Sequence, residues 1–590
     1  MFGLRAISFL LALVLLTTAA RHSAFSEEAQ ARKDWEKRWV YVPSNLYVNE
    51  NLPKIESILK RAKAAGYNGV LFADYKTFTW WKLDGADRWK ANAEKLRAMT
   101  KDMGMELTVA VFPFGYAGAL LFHDPNLASG MPVKDAPLEA KDGTLVPVQT
   151  TVLKNGSFEE YTDNAVARMG FQDDPGKSSF IDTEVVKEGK VSLRFEDVGK
   201  VNPHGHGRVS QQITVQPWQQ YRMRVWMKAD KLTADEVKLL VIGGDRTLQW
   251  QYPVAPQGKS MDFISRAQNL TTDWVEESVS FNSLDNTKVQ VYIGIWGGKT
   301  GKIWWDDWRI DSTPTLNLLR RDTLPLIITG ADGTVYEEGK DFEKVVDKEM
   351  GTKPWAGCFD TRHEPPVIKL TADSRIKNGD KVKLSCWHTE IVLAGQMNCS
   401  MSNPKVFDLC RQEMEKTKGS LAPDGYFMSH DEIRCGGWEP EETDRFKTSG
   451  ELFAFNIKEC AKIAFGVGEN KPVYVWSDMF DPNHNAHANF YLTNNTIEGS
   501  WEGLDKNVII MKWGGGKLAK PGLEFFSKRG HRQMIAAYYD GDVAADYKMW
   551  TDAAKDISNI IGVMYTTWEN NYSNMEKFAE TWWGGAVKQP

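Results

Sequence analysis

The chain has 590 residues, 42% of them apolar and 25% charged, a composition that excludes a disordered or fibrous protein. Its 72 basic and 78 acidic side chains leave a net charge of −6, too small for this length to support binding to nucleic acid or an anionic membrane. The 23 tryptophans stand out, because Trp fills cores and also stacks on the apolar faces of sugars.

Residues 1–26 have the pattern of a secretory signal peptide. Arg5 forms a basic start, Ala6 to Leu16 an apolar run, and small residues follow at Ala20 and Ala24. The apolar run is shorter than the ~20 residues of a spanning helix. No later stretch is long and apolar enough to cross a bilayer, so the sequence predicts an exported protein, secreted or periplasmic, with no membrane span after cleavage. Export permits disulfides, but six cysteines between Cys358 and Cys460 allow 15 pairings, and free thiols fit equally well.

From residue 33 to 118 strand and helix patterns alternate. WVYVP at 39–43 reads as a strand, and Leu52 to Ala65 as a helix with Ile55, Leu59 and Ala62 on one face. GVLFAD at 69–74 is the continuous apolar run of a strand buried on both faces. Trp89 to Met103 is a second amphipathic helix and LTVAVFPFG at 107–115 a third strand. The period then changes. From about 150 to 311 short alternating segments such as VSLRFEDV, YRMRVWMKA, KVQVYIGIW and IWWDDWRI predict an all-β sandwich. Residues 312–402 form a smaller β-rich segment with turn signals at Asp332-Gly333 and Asn378-Gly379.

Strand–helix alternation resumes over 403–590. GYFMSHDE, PVYVWSDMF, NVIIMKW, QMIAAYYD and GVMYTTWE read as strands. Three strands before the insertion and five after make eight, and the two segments together approach the ~250 residues of a (β/α)8 barrel. The expected fold class is therefore α/β, a (β/α)8 TIM barrel whose third βα loop carries two inserted all-β domains. An open doubly wound sheet is the alternative, but no G-x-G-x-x-G fingerprint supports it.

In such barrels the site lies at the C-terminal strand ends. These ends carry Asp74, His430-Asp431-Glu432, Trp476 with Asp478, Trp513, Tyr538 with Asp540, and Trp568-Glu569. Aromatic faces and carboxylates in that company suit a sugar. Cleaving a glycosidic bond needs a carboxylic acid to protonate the leaving oxygen and a group opposite the developing oxocarbenium ion. Asp431-Glu432 is the sharpest signal, since adjacent residues can face one site only where a strand ends and bends.

The two barrel segments resemble the substrate-assisted β-N-acetylhexosaminidases of glycoside hydrolase families 20 and 123, which carry an Asp-Glu pair after strand four. The resemblance implies that Glu432 is the acid/base and that Asp431 orients the substrate's 2-acetamido group, whose oxygen attacks the anomeric carbon to form an oxazoline. It also implies that Trp476, Trp513 and Trp568 wall the sugar, that Tyr538 bonds the acetamido oxygen, and that Asp540 holds a hydroxyl. The usual His-x-Gly-Gly-Asp-Glu motif is here Phe427-Met428-Ser429-His430-Asp431-Glu432, and the strand-one arginine is missing from Trp39 to Asn45. Asp74 then takes over part of O4 recognition, which leans the reading towards N-acetylgalactosamine. The expected partner is a glycan with a terminal β-linked N-acetylhexosamine, cut by an exo-acting retaining enzyme without a catalytic cofactor. A conventional two-carboxylate retaining glycosidase, with Glu569 or Asp540 as nucleophile, and a non-catalytic glycan-binding protein are the competing readings.

The inserted sandwich resembles the jelly-roll carbohydrate-binding modules of families 4, 9 and 22, through Asn155-Gly156-Ser157-Phe158-Glu159 at its start and Trp304-Trp305-Asp306-Asp307-Trp308 at its end. That resemblance implies a structural calcium between the termini, with Glu159 and Asp307 as oxygen donors. His204-Gly205-His206 and His484-x-x-His487 read as loop histidines, and neither G-x-S-x-G nor H-E-x-x-H occurs.

Overall fold

The computed structural model describes residues 35–251, 267–393 and 396–585. The expected signal peptide lies outside them. Among the described residues no helix is long and apolar enough to cross a membrane.

Eight parallel strands close into a barrel in chain order. They are β1 (Lys37–Pro43), β2 (Gly69–Ala73), β3 (Glu106–Val111), β4 (Gly425–Met428), β5 (Val473–Trp476), β6 (Ile509–Lys512), β7 (Gln533–Tyr538) and β8 (Ile560–Thr566). β1 closes the ring by pairing with both β2 and β8. Helices α1 (Asn51–Ala64), α2 (Ala86–Asp102), α3 (Pro404–Leu421), α4 (Ser449–Val467), α5 (Ala519–Lys528), α6 (Val543–Ala553) and α7 (Met575–Trp583) surround it. Asn403 caps α3, accepting from the Lys405 N–H at 3.0 Å with Pro404 in the first turn. Thr448 caps α4 and Asp542 caps α6 in the same way.

The inside of the barrel is filled, as the alternation of strand side chains requires. Trp39, Tyr474, Met511, Met534 and Met564 meet there, with the Trp39 and Tyr474 rings 4.8 Å apart. A side chain at Gly69 would collide with the Trp39 indole, so the neighbouring strand needs glycine opposite that ring. The outward side chains of β1, β2 and β3 pack with Leu59, Trp89 and Leu96 from the helices.

The insertion opens after β3 and closes before α3, in the third βα loop. A six-stranded antiparallel sheet takes strands from both of its ends: Met131–Lys141 and Thr144–Pro147 pair with Lys381–His388 and Ile368–Lys369. The small sheet therefore reaches back before the sandwich, further than the 312–402 expected from the sequence. The turn that makes this possible is Asp142-Gly143, both residues at positive φ, as a tight hairpin demands. The sandwich is nested inside the small sheet. Two pairs of segments that read as separate strands run on as single long strands, Gln220–Gly243 and Lys288–Ser312. Register shifts near Ala229–Thr233 bend the ladder without ending it. All six cysteines are free thiols.

Candidate active site

The barrel strands end earlier than their apolar runs. The chain turns out of β3 at Phe112 and out of β4 at Glu432, both at positive φ, and Tyr538, Tyr539 and Asp540 after β7 are all left-handed. This is why adjacent side chains at the mouth can face one site. Asp431 and Glu432 sit half-buried there. Gly115 lies directly over their peptide, and a Cβ on it would collide with the Asp431 carbonyl oxygen.

Glu432 is held at both oxygens. The Tyr116 hydroxyl donates to Oε2 at 2.6 Å and the Arg434 guanidinium pairs with Oε1 at 2.8 Å. Arg434 in turn is fixed by the Gln396 side chain and lies 5.0 Å over the Tyr491 ring. The Glu432 backbone is tied too: its N–H donates to Asp478 Oδ2 at 2.8 Å. Asp478, 0% exposed, also accepts from Asn485 Nδ2 at 2.9 Å and Trp513 Nε1 at 3.0 Å. One buried carboxylate thus joins the acid pair, the loop after β5 and the aromatic wall. Burial, then the neighbouring Asp478 and Glu432 charges, push Asp431 well above the usual carboxylate range. Burial first, then Glu432, raises Asp478 to about 6 against three hydrogen bonds that lower it.

Aromatic rings surround the acids. The Trp513 and Tyr539 planes are parallel within 5°, with centroids 6.1 Å apart. Trp476, 4% exposed, meets Trp568 at 6.3 Å, and Trp568 meets Tyr41 at 5.2 Å and Tyr539 at 6.0 Å. Trp568 is 47% exposed and forms the outer lip. Burial and the Asp431 charge hold the Tyr41 and Tyr539 phenols above their ordinary value.

The structure therefore brings Asp431, Glu432, Trp476, Trp513 and Trp568 together. Four expected positions behave differently. Tyr538 points outward, stacked 4.3 Å from Tyr565 and hydrogen-bonded by Asn574, so its neighbour Tyr539 faces the mouth instead. His430 packs 4.6 Å from Phe114 and bonds Asn456 at 3.0 Å; burial lowers it to about 3, which makes it a neutral core residue. Asp74 is 5% exposed and accepts from the Leu46 and Lys76 N–H groups and from Trp89 Nε1 at 2.8 Å. Both oxygens tie the turn after β2 to the segment after β1 and to α2, so it acts as a buried brace. Asp540 braces the β8 loop, accepting from Thr567 Oγ1 at 2.6 Å, Trp568 N–H at 2.8 Å and Glu569 N–H at 3.2 Å. It positions Trp568, and Glu569 is exposed beside it.

Tyr41, Tyr116, Arg434, Asp478 and Tyr539 complete the site. Asp478 carried a signal in the sequence, a carboxylate two residues past a strand end. Tyr116 and Arg434 lie in loops with no pattern of their own.

The two residues expected to hold calcium are engaged within the protein. Glu159 Oε1 accepts from the Lys190 N–H at 2.6 Å, and Asp307 is paired with Arg309. Among the described residues no group of three His, Cys, Asp or Glu side chains could hold a metal ion.

No protein-family model matches the chain, and no protein of curated function matches it in sequence. Among solved structures, the rhamnosidase from Novosphingobium sp. PP1Y aligns over 94% of this chain and 59% of its own, at 10% identity and a TM-score of 0.35. The chitobiase of Flavobacterium johnsoniae aligns over 32% of this chain and 30% of its own, at 18% identity and a TM-score of 0.25. A family 4 carbohydrate-binding module aligns over 27% of this chain and 98% of its own, at 18% identity and a TM-score of 0.18. Likenesses at this level leave substrate and mechanism open.

Proposed function

We propose that the protein is an exported glycoside hydrolase, a retaining exo-β-N-acetylhexosaminidase that uses its substrate's acetamido group as nucleophile. The observation that carries this reading is the fixed Asp431-Glu432 peptide inside a ring of Trp476, Trp513, Tyr539 and Trp568. A pyranose stacks on such a wall by its apolar face. Glu432, steered by Tyr116 and Arg434, protonates the leaving oxygen and later accepts a proton from the attacking water. Asp431 holds the acetamido N–H while the acetamido oxygen closes on the anomeric carbon, an intramolecular attack with a large advantage in effective molarity. Tyr539, on the mouth side of β7, takes the bond to the acetamido oxygen that the family resemblance implies for Tyr538.

With Asp74 buried among Leu46, Lys76 and Trp89 and Asp540 bracing the β8 loop, the preference for N-acetylgalactosamine has no free carboxylate to rest on, and both 4-epimers are expected to be accepted. The conventional two-carboxylate mechanism is less well supported, because Asp540 spends both oxygens on the β8 loop.

The test is hydrolysis of the 4-nitrophenyl β-glycosides of N-acetylgalactosamine, N-acetylglucosamine, galactose and glucose by wild type, Asp431→Asn and Glu432→Gln. The expected result is cleavage confined to the 2-acetamido sugars, with kcat reduced roughly 10²–10⁴-fold in each variant. Comparable cleavage of galactoside or glucoside would overturn the substrate-assisted reading.

A further inference from the structure

A second cavity lies away from the acid pair, where sandwich, small sheet and barrel meet. It encloses about 520 Å³, and each unit contributes a tryptophan: Trp218 from the sandwich, Trp387 from the small sheet and Trp438 from the loop after β4. Trp218 and Trp438 stand edge to face, 5.4 Å apart at 69°. Lys134 places its ammonium 3.8 Å from the centre of the Trp218 ring, with no carboxylate partner among the described residues. Thr443 and Asn494 also line a smaller neighbouring cavity of about 140 Å³, whose lining includes Lys447, Thr448 and Asn495.

The three indoles are half-buried, each with one side packed on a core and the rest facing the cavity, and Trp438 is fixed by its Nε1–H donating to the Leu492 carbonyl at 2.7 Å. Trp218 also sits at φ 59°, a left-handed conformation rare for a bulky side chain. Its backbone is held there from both sides: the Lys134 N–H donates to its carbonyl, and its own N–H donates to the Leu284 carbonyl. Strain kept at one turn points to a use for the side chain it aims. Pockets at domain junctions that combine aromatic walls with a few polar groups are the usual form of a small-ligand site. Aromatic walls edged by the hydroxyl of Thr443 and the amide of Asn494 match the alternation of apolar faces and hydroxyl edges along a sugar chain.

We infer that this cavity is a second saccharide site, which binds an oligosaccharide across Trp218, Trp387 and Trp438 with its hydroxyls directed to Asn494, Thr443 and Lys134. Binding there would hold a glycan on the protein independently of the mouth. The inference does not depend on Glu432 being catalytic, and the two can fail separately.

The experiment uses the full chain carrying Glu432→Gln, so that bound sugars are not turned over. It is applied to an immobilised panel of chito-, xylo-, galacto- and uronic-acid oligosaccharides, followed by calorimetry with each sugar retained. Thr443→Trp fills the rim of the cavity from an exposed position, Trp438→Ala removes one wall, and Trp568→Ala disables the mouth. Unchanged thermal unfolding shows that each variant folds, and the rim variant keeps the test valid if Trp438→Ala does not fold. The expected result is an oligosaccharide whose affinity falls roughly tenfold or more in Thr443→Trp and Trp438→Ala and is kept in Trp568→Ala. No binding across the panel, or binding that depends on Trp568, overturns the inference.

Discussion

Replacing Asp478 by asparagine tests the centre of the site. The carboxylate is 0% exposed and titrates at about 6 in place of 3.8, chiefly because burial disfavours its charge. Its folded-state value lies above the unfolded one. Between about pH 4 and pH 6 the native protein keeps a proton that the unfolded chain has released, so native stability falls as pH rises through that window. The difference corresponds to ~3 kcal/mol, a loss that the Asp478→Asn variant would not suffer. The amide of the variant keeps one acceptor oxygen for Glu432 and Asn485 but turns its NH2 towards the Trp513 Nε1–H, a fixed cost of about 1–3 kcal/mol that is the same at every pH. The pH dependence therefore isolates the charge. Thermal unfolding of wild type and Asp478→Asn at pH 4 and pH 7 should show the gap between their midpoints moving in favour of the variant by roughly 2–5 °C on going to pH 7. A gap that stays constant would show that Asp478 is not raised. In the same variant the acid limb of kcat/KM should move to lower pH, because Asp431 loses a neighbouring negative charge and ionises more readily.

Other substitutions separate positioning from contact. Gly115→Ala drives a Cβ into the Asp431 carbonyl and should reduce kcat roughly 10²-fold by displacing the acid pair, measured on the nitrophenyl substrates. Trp568→Ala removes the exposed lip and should raise KM more than it lowers kcat. Tyr539→Phe should lower kcat, whereas Tyr538→Phe should affect only stability, through the lost bond from Asn574. Glu413, wholly buried and raised by burial to about 8, accepts from the Phe112 N–H at 3.0 Å. Since its folded value exceeds its unfolded one, stability is lost as pH rises from about 4.5 to 8, and Glu413→Gln should flatten that loss of ~5 kcal/mol in unfolding experiments.

The barrel was legible because its strands are buried on both faces and read as apolar runs, with amphipathic helices between them. Strand ends were less legible. The runs ending GYFMSHDE and QMIAAYYD continue past the last ladder bond, and apolar character does not record where φ turns positive. The Tyr538-Tyr539 pair shows the consequence: the family motif implies Tyr538, but both residues lie where φ is positive, and it is Tyr539 that meets Trp513 and Trp568 while Tyr538 stacks on Tyr565. Asp74 and Asp540 fail for a different reason. A carboxylate after a strand can serve a ligand or brace neighbouring loops, as Asp74 does for Leu46 and Trp89 and Asp540 for the β8 loop, and the two have the same sequence signature. The hairpin at Met131–Pro147 lies between the two segments read from the sequence, and its partner strands come from beyond the sandwich, a separation that no local pattern spans.

The backbone supports the same placement of function as the side chains. Glu432 and the run Tyr538-Tyr539-Asp540 adopt left-handed conformations that cost non-glycine residues about 1–2 kcal/mol each. Each is held from outside its own segment: Glu432 by Asp478, Tyr538 by the Asp546 carboxylate that accepts its N–H at 2.8 Å, and Asp540 by the loop after β8 that it caps. If the mouth served only to close the barrel, glycine at these positions would relieve the strain and the bracing carboxylates would be dispensable. Side chains are kept at a cost where the strain aims Glu432 and Tyr539 inward, and the buried Asp478 that holds the first of them is itself destabilising when charged. Strain and an unfavourable buried charge meeting on the same few residues are what a site selected for geometry over stability requires.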